Sequence, residues 1–264
     1  MSLENLMTKM WADYIDFNPQ AKRVYDLLRA EGEVVINDHI ALRTFQHPKL
    51  GIEALASHFL KYGYSYAGEY HFESKKLYAR HYEHTNPNLP KIFISELELH
   101  KLSPFARDTA LALIEQVPEE KVRHEEFLYS GRPWTLSYST YEKLAEESEY
   151  ASWLAAHGYR PNHFTVSVNA LKKFNNIRDL NKFLKNNGFK LNTSGGEVKG
   201  TPEELLEQSS TMAELHEVEF TDGRHRIPAC YYEFAKRYPQ KDGRLYQGFI
   251  AKSADKIFES TNRA

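Results

Sequence analysis

Two histidines in this chain lie in short segments that are alike. His39 follows Asn37 and Asp38, and His163 follows Asn162. β-Branched and aromatic residues then dominate both segments, which predicts two strands. Side chains alternate along a strand, so residues two and four positions from each histidine share its face. Two imidazoles at like positions of two related strands indicate a metal site, because imidazole is a common ligand for transition metals.

Carboxylates that could complete such a site come later in the chain. Glu233 interrupts an otherwise apolar segment, where an unpaired buried charge is costly, so a ligand or ion-pair role is favoured. Glu98 follows Ile92 by the same interval by which Glu233 follows Ile227, which makes Glu98 a possible fourth ligand. His216, on the strand predicted beside Glu233, is a reserve ligand.

The number of protein ligands decides which metal chemistry is expected. Two histidines and one carboxylate leave three positions of an octahedron open, which suits Fe(II) and oxygen chemistry. With Glu98 as a fourth ligand at most two positions stay open, and a redox-inert ion such as zinc acting as a Lewis acid fits better. A structural role is the alternative for each histidine taken alone, because the chain has 12 of them.

A single arginine breaks the symmetry between the two segments. Arg43 lies four residues after His39, on the same strand face and roughly 13 Å along the strand. A guanidinium at that distance can bind one carboxylate of a small diacid through two parallel hydrogen bonds. Pairing with a structural carboxylate is the alternative. The counterpart of Arg43 is Ser167, and we predict that Ser167, Thr165 and Tyr231 line the substrate pocket.

The elements that must position these residues repeat along the chain. Each predicted strand is followed by a helix that ends at a glycine and an aromatic residue, Gly63-Tyr64 in one copy and Gly188-Phe189 in the other. The interval from histidine to glycine is nearly the same in both copies, which indicates an internal repeat. Each copy is predicted to be a βαβββ module, with a histidine on its first strand and a glutamate on its last.

The predicted elements follow from this repeat. In the first copy they are a strand at 33–45, a helix at 51–62, and strands near 64–72, 76–84 and 91–100. In the second copy they are a strand from 161, a helix at 177–187, a short helix from 201, and a hairpin of strands 211–220 and 226–235. The fold class is therefore α+β, with two modules that share a metal-binding cavity.

Domain boundaries follow from the same elements. The predicted parts are N-terminal helices at 1–32, a first module at 33–102, a helical insertion at 103–158, a second module at 159–238, and a tail at 239–264 that covers the core. The tail is predicted to contain a strand or loop and then a short helix.

Composition excludes several classes of protein. Lys and Arg number 34 against 36 Asp and Glu, without a basic run, so no nucleic-acid partner is expected. No apolar run approaches the roughly 20 residues of a membrane span, and the first residues lack the pattern of a secretory signal. The single cysteine, Cys230, excludes an internal disulfide and fits a reducing compartment. We therefore expect a cytoplasmic protein without nucleic-acid or membrane partners.

The repeat, with histidines on its first strands, resembles the vicinal oxygen chelate superfamily. More narrowly, the segments 37–43, 162–165 and 227–237 are similar to the 2-oxoadipate dioxygenase/decarboxylase family. Members of that family use Fe(II) and dioxygen to convert 2-oxoadipate to 2-hydroxyglutarate and carbon dioxide, in lysine catabolism. The resemblance covers the chain from about residue 20 to the tail, and its His-x-x-x-Arg element is fairly specific.

Carried over residue by residue, the resemblance implies that His39, His163 and Glu233 hold Fe(II), with zinc or nickel as alternatives. It also implies that Arg43 binds a substrate carboxylate, and that the partners are a 2-oxo acid and dioxygen. Two other functions stay open. One is a metal-dependent lyase, isomerase or hydrolase of glyoxalase type, with Glu98 as fourth ligand. The other is a non-enzymatic module that binds a small molecule between the two modules.

Overall fold

The structure is a computed structural model that describes residues 1–262. It contains ten strands among these residues. They are β1 (Asn37–Phe45), β2 (Tyr64–Phe72), β3 (Leu77–His84), β4 (Lys91–Leu97), β5 (Pro161–Ser167), β6 (Lys199–Thr201), β7 (Leu206–Ser210), β8 (Leu215–Phe220), β9 (Gly223–Pro228) and β10 (Glu233–Arg237). Eight of them form one sheet, and β8 and β9 form a separate hairpin.

The eight-stranded sheet has the order β2-β3-β4-β1-β5-β10-β7-β6. Its two central strands, β1 and β5, run antiparallel to each other. The parallel neighbours are β4 beside β1 and β10 beside β5, while all other pairs are antiparallel. Nearly all of β1 is buried, its polar residues included, because both faces of this central strand are covered.

Nine α-helices surround the sheet within the described part of the chain. They are α1 (Leu3–Phe17), α2 (Pro19–Ala30), α3 (Ile52–Leu60), α4 (Pro104–Glu115), α5 (Glu119–Val122), α6 (Tyr138–Glu147), α7 (Glu149–His157), α8 (Ile177–Asn186) and α9 (Ala251–Ile257). None of the helices within residues 1–262 is long and apolar enough to cross a membrane.

The sheet is curled, and α9 lies across its open side. This helix packs against β2 at one edge of the sheet and against β6 and β7 at the other. One short helix can reach both edges only if the sheet bends round toward itself. The interior of the curl therefore becomes a closed space that is lined by the central strands and covered by α9.

Other helices fix the outside and the ends of the curl. α1 packs against β5, where the rings of Trp11 and Phe164 meet edge to face at 5.0 Å. α7 is held at the end of the central strands by the buried Tyr150 hydroxyl, which accepts a hydrogen bond from the Thr44 N–H at 3.0 Å. The same hydroxyl lies 2.7 Å from the Ser95 carbonyl oxygen, to which it donates. The segment between β4 and β5 thus reaches the sheet through α7.

Several predicted elements are confirmed. The fold is mixed α+β, and the strands and helix predicted between residues 33 and 100 are present with slightly shorter bounds. A 3-10 helix at Leu99–Lys101 replaces the predicted end of the fourth strand. The tail contains the predicted short helix, α9, which continues as a 3-10 helix at Phe258–Thr261. No observation tests the predicted domain boundaries, which stay predictions.

Two predictions for the second half of the chain are wrong. The arm predicted at 226–235 is divided: β9 ends at Pro228, and β10 begins only at Glu233 in the other sheet. Proline has no N–H for a ladder, so a continuous apolar run does not guarantee one strand. The short helix predicted from Thr201 is instead the turn between β6 and β7, in which Leu205 adopts a left-handed φ of 67°.

Candidate metal centre

Three side chains from three adjacent strands converge inside the curl. His39 lies on β1, His163 on β5 and Glu233 at the start of β10, and each is almost fully buried. Among the described residues they form a group whose potential ligand atoms all lie within 4.8 Å of one another. The His163 Nε2 atom lies 3.0 Å from Glu233 Oε2, and His39 Nε2 lies 3.6 Å from Glu233 Oε1.

The antiparallel register of the central strands explains this convergence. His39 on β1 is paired with Thr165 on β5, and Ala41 is paired with His163. The two histidines are therefore diagonal neighbours, with ring centroids 5.6 Å apart. The parallel ladder then places Glu233 beside Thr165, on the same face. The Thr165 hydroxyl lies 3.1 Å from His39 Nε2, to which it can donate a hydrogen bond.

Each imidazole is oriented by the residue that precedes it. The His39 Nδ1–H donates to Asp38 Oδ1 at 2.8 Å, and the His163 Nδ1–H donates to Asn162 Oδ1 at 2.9 Å. Donation from Nδ1 leaves the lone pair on Nε2, the atom that faces Glu233 in both rings. A carbonyl or carboxylate oxygen on the far nitrogen is the usual support of a metal-binding histidine.

Asp38 is itself held by a buried arginine. Arg237 donates from Nε to Asp38 Oδ2 at 2.7 Å and from Nη2 to Asp38 Oδ1 at 2.8 Å. Burial opposes ionisation, but the Arg237 charge and the hydrogen bond with His39 keep the pKa of Asp38 well below its usual value. The carboxylate is therefore ionised at neutral pH and can hold the His39 ring.

The protonation states of the group suit a cation. Burial lowers the pKa of His163, which keeps its ring neutral near pH 7. Burial acts to raise the pKa of Glu233, but His39, His163 and a hydrogen bond from Gln208 Nε2 at 2.6 Å lower it below the usual value. Metals bind neutral imidazole and ionised carboxylate. Three lone-pair donors that converge in this way fit a metal ion.

The space beside the three ligands is small and mostly apolar. The cavity measures about 20 Å³, roughly the room of one water molecule. Its wall is formed by the ligands, Gln208, Tyr231 and a set of apolar residues. These are Phe93, Phe249, Ala254, Ile257 and Phe258. Residues 249–258, which include α9, thus cover the site directly.

The predicted pocket residues lie in different places. Thr165 contacts His39, and Tyr231 lines the cavity with its ring stacked 4.5 Å from the ring of His163. Ser167 is not brought to this cavity; it borders a surface pocket beside Asp38 and Arg237. The antiparallel pairing of β1 and β5 is the reason, because four residues beyond each histidine lead toward opposite ends of the curl.

Arg43 lies buried at the other end of the curl. Its Nη1 donates to both carboxylate oxygens of Glu149, at 3.0 and 3.4 Å, and its Nη2 donates to Thr261 Oγ1 at 3.3 Å. Burial opposes the charged form, but the Glu149 carboxylate raises the pKa of Arg43. Arg43 thus has a protein counter-ion, the alternative that the sequence left open. The ring of Phe258, which lines the cavity, lies 5.6 Å from Arg43 Cζ.

The possible fourth ligand and the reserve ligand are both outside the group. Glu98 lies just beyond β4 and pairs with Lys101 at 2.7 Å. His216 lies on the separate hairpin, with its ring 4.4 Å from that of Phe17. The predicted alignment of Glu98 with Glu233 is wrong, because the ladders decide the equivalence. Glu233 is paired with Thr165, and the residue paired with Ala41 in the matching ladder is Phe93.

Sequence reasoning missed several residues that support the site. Asp38 and Asn162 were visible as the polar residue directly before each histidine, so the signal was present. Gln208 and Glu149 had no such signal, since each reaches its partner only through the tertiary fold. Gln208 is brought to Glu233 by the pairing of β7 with β10, and Glu149 is brought to Arg43 by α7.

A curled mixed sheet that encloses two histidines and one carboxylate has the features of a mononuclear metal-binding protein. Comparison with known proteins gives the particular family. The family model of 2-oxoadipate dioxygenase/decarboxylase matches residues 2–246. The chain belongs to this family and is an enzyme of this type.

Individual relatives agree with this assignment. The chloroplastic 2-oxoadipate dioxygenase/decarboxylase of Arabidopsis thaliana is 37% identical over 97% of this chain and 76% of its own length. The crystal structure of hydroxyglutarate synthase from Oryza sativa in complex with 2-oxoadipate is 36% identical, with a TM-score of 0.90, and the match covers 97% of this chain and 91% of that one. A protein from Shewanella frigidimarina, provisionally described as a hydrolase, is 52% identical with a TM-score of 0.90, over 94% of this chain and 97% of that one.

Proposed function

We propose that this chain converts 2-oxoadipate and dioxygen to 2-hydroxyglutarate and carbon dioxide, with Fe(II) as its cofactor. The observation that carries the proposal is the buried group of His39, His163 and Glu233, in a member of a family named for this reaction. The reaction balances without a second 2-oxo acid: carbon dioxide is released from the carboxylate beside the keto group, and both atoms of dioxygen enter 2-hydroxyglutarate, one in the new carboxylate and one in the hydroxyl group.

The donor set supports iron over the alternatives. Two imidazoles and one carboxylate leave coordination positions for substrate and dioxygen, which is the arrangement that non-haem Fe(II) oxygenases use. Glu98 lies outside the group, so the four-ligand set on which the glyoxalase-type alternative depended is not assembled. Bound Fe(II) would supply redox chemistry with dioxygen and a Lewis-acidic centre for the 2-oxo acid.

The protein's own contribution is orientation and exclusion of water. Asp38 and Asn162 hold the imidazoles with Nε2 toward the centre, and Gln208 holds the carboxylate. The rings of Phe93, Phe249 and Phe258 keep the cavity dry. Arg43 is the buried cation for the distal carboxylate of a diacid. These groups leave the chemistry of oxygen to the metal and control which molecule reaches it.

We also propose that the sheet is a duplication of the vicinal oxygen chelate type. Each half begins with a central strand, β1 or β5, that carries a histidine, and the strand orders β1-β4-β3-β2 and β5-β10-β7-β6 follow the same pattern. A helix follows the first strand in both halves, namely α3 and α8. Superposition of residues 33–102 on 159–238 tests this: the two histidines should coincide, and separate positions would contradict the duplication.

Oxygen consumption tests the function. Protein prepared without oxygen and loaded with Fe(II) should consume dioxygen with 2-oxoadipate and release 2-hydroxyglutarate, with both oxygen atoms from ¹⁸O₂ retained in that product, one in the new carboxylate and one in the hydroxyl group. 2-Oxohexanoate, which has a methyl group in place of the distal carboxylate, should be a poor substrate. Protein loaded with Zn(II) is the control. Substrate turnover that needs no dioxygen would instead support a hydrolase or lyase and contradict the proposal.

The cellular compartment of the enzyme is also part of the proposal. We expect a cytoplasmic enzyme without nucleic-acid partners, although the Arabidopsis relative is named as chloroplastic. Fractionation of cells that express the tagged natural gene tests this expectation, and enrichment in an organelle would contradict it.

A further inference from the structure

The guanidinium of Arg43 is held at one end and free at the other. Glu149 accepts hydrogen bonds from Nη1, and Thr261 Oγ1 accepts one from Nη2. The Thr261 hydroxyl also donates to the Glu149 carboxylate, so the three side chains close a ring around the Nη1–Nη2 end. The rings of Tyr150 and Trp153 lie 4.8 and 4.9 Å from Arg43 Cζ and restrict the plane of the fork.

The other edge of the fork lacks a partner in the described structure. Arg43 Nε is buried and makes no hydrogen bond. A buried donor without a partner is costly, and natural proteins keep such groups mainly where a ligand or water completes them. Because Glu149 and Thr261 occupy the Nη1–Nη2 end, the Nε–Nη2 edge is the one that remains for a bidentate carboxylate.

A second donor without a partner lies toward the candidate metal centre. The Tyr231 hydroxyl is buried and unbonded, and Tyr231 lines the cavity beside His163. Tyr231 also interacts electrostatically with Arg43. Two buried donors therefore stand between the ligand group and Glu149. This placement suits an anionic group that enters from the metal side and leaves Glu149 where it is.

The local sequence fixes where Glu149 stands. Ser148 caps α7, because its hydroxyl oxygen accepts a hydrogen bond from the Ala151 N–H at 3.1 Å. Glu149 is consequently the first residue of the helix, and the Tyr150 hydroxyl anchors the same turn to β1. The carboxylate is thus presented to Arg43 by a rigid element.

We propose that Glu149, together with Thr261, is a positioning residue that sets the specificity of the enzyme for diacids. It holds the Nη1–Nη2 end of Arg43 so that the Nε–Nη2 edge faces the distal carboxylate of the substrate. This inference rests on the proposed function. Two other roles are possible for Glu149: a counter-ion that only neutralises Arg43, and a competitor that the substrate carboxylate must displace.

Two substitutions at this position separate the three roles. Glu149→Ala removes the acceptor that holds the fork, whereas Glu149→Gln keeps an acceptor oxygen and removes the charge. A positioning role predicts that the alanine variant loses the preference for diacids and the glutamine variant largely keeps it. A counter-ion role predicts equal losses in both. A competitor role predicts tighter binding of diacids in both.

Both the binding and the turnover of the two 2-oxo acids are measured. Calorimetry on metal-loaded protein without oxygen should show 2-oxoadipate binding weakened at least about tenfold by Glu149→Ala, while binding of 2-oxohexanoate changes less than about twofold. In steady state KM for 2-oxoadipate should rise by a similar factor, with metal content near that of the wild type. Glu149→Gln should stay within about threefold of the wild type. Thr261→Val should also weaken the binding of 2-oxoadipate, as Glu149→Ala does.

Glu147→Ala is the matched control. Glu147 lies two residues away and pairs with Lys76 at 2.9 Å on the surface, so its loss should leave both affinities unchanged. Equal losses in the alanine and glutamine variants, or diacid binding in Glu149→Ala as tight as in the wild type, would overturn the inference and leave the proposed function intact. Failure of the wild type itself to bind any 2-oxo acid would overturn the proposed function, and this inference with it.

Discussion

The residue before each histidine decides how the ring is used. Asp38 and Asn162 both accept from Nδ1, but only Asp38 carries a charge and a second partner, Arg237. The two imidazoles are therefore held by different means: one by an ion-pair network and one by a single amide. Loss of the accepting side-chain oxygen at either position should lower metal affinity. Only the loss of Asp38 should also lower the stability of the fold.

Single substitutions should show by their iron content which candidate residues are metal ligands. His39→Ala, His163→Ala and Glu233→Ala should each abolish stoichiometric iron binding, because each removes one of three donors. Glu98→Ala and His216→Ala should leave iron content near that of the wild type, since both residues lie outside the group. Metal analysis after anaerobic reconstitution is the measurement. Loss of iron in Glu98→Ala would favour a four-ligand site and weigh against the dioxygenase.

Asp38→Ala should cost both metal affinity and stability. Loss of a carboxylate behind a metal-binding histidine typically lowers affinity about 10–100-fold. The change also leaves Arg237 buried without its counter-ion, which typically costs about 3–5 kcal/mol. Chelator competition measures the affinity, and urea unfolding measures the stability.

Asn162→Ala is the matched comparison for Asp38→Ala. It should lower affinity by a similar factor with a much smaller loss of stability, because no ion pair depends on Asn162. Equal stability of the two variants would contradict the role given to Arg237.

At the scale of elements, α9 and the residues around it cover the candidate metal centre. A cavity of about 20 Å³ is far below the roughly 300 Å³ or more of ordinary small-molecule sites. The ring of Phe258 lines that cavity and lies 5.6 Å from Arg43 Cζ. A diacid that reaches both the metal centre and Arg43 must therefore move this ring, and α9 with it.

Hydrogen exchange should detect this movement. We expect amides of residues 249–261 to change their exchange rates when 2-oxoadipate is added to the metal-loaded protein without oxygen. Amides of α4, which lies apart from the cavity, serve as the internal control. Unchanged rates in residues 249–261 at saturating substrate would mean that the substrate enters by another route.

At the scale of the whole molecule, buried histidines make stability depend on pH. Burial lowers the pKa of His58 and of His163, and it lowers the pKa of His157 to about 3. His157 donates from Nε2 to the Pro228 carbonyl oxygen at 2.8 Å and is packed against Trp153. The folded protein keeps these rings neutral, whereas the unfolded chain protonates them near pH 6.5.

The lowered pKa of His157 makes the folded protein less stable at acidic pH. Between about pH 3 and 6.5 the unfolded chain binds the proton of His157 and the folded protein does not, so stability falls as the pH falls. One such group contributes up to about 1.4 kcal/mol per pH unit in this range. Urea unfolding at pH 7.5 and 5.5 should show a smaller difference for metal-free His157→Gln than for metal-free wild type. Equal differences would show that His157 does not govern this dependence.

The sequence by itself determined the parts that depend on local geometry. Strand periodicity placed His39 and Arg43 on one face, and the repeat around His163 identified the second histidine. Both patterns can be predicted because they depend only on residues that are close in the sequence. The position of Glu233 in an apolar segment also pointed to this carboxylate, which lies with the two histidines in one buried group.

Only the tertiary structure decided the long-range pairings. The ladders made Phe93, not Glu98, the counterpart of Glu233, and the antiparallel central pair sent Ser167 and Arg43 to opposite ends of the curl. Glu149 became the partner of Arg43, and α9 became the cover of the site. The physical reason is that register and contact between distant elements depend on how the whole chain packs. Local sequence does not determine that packing.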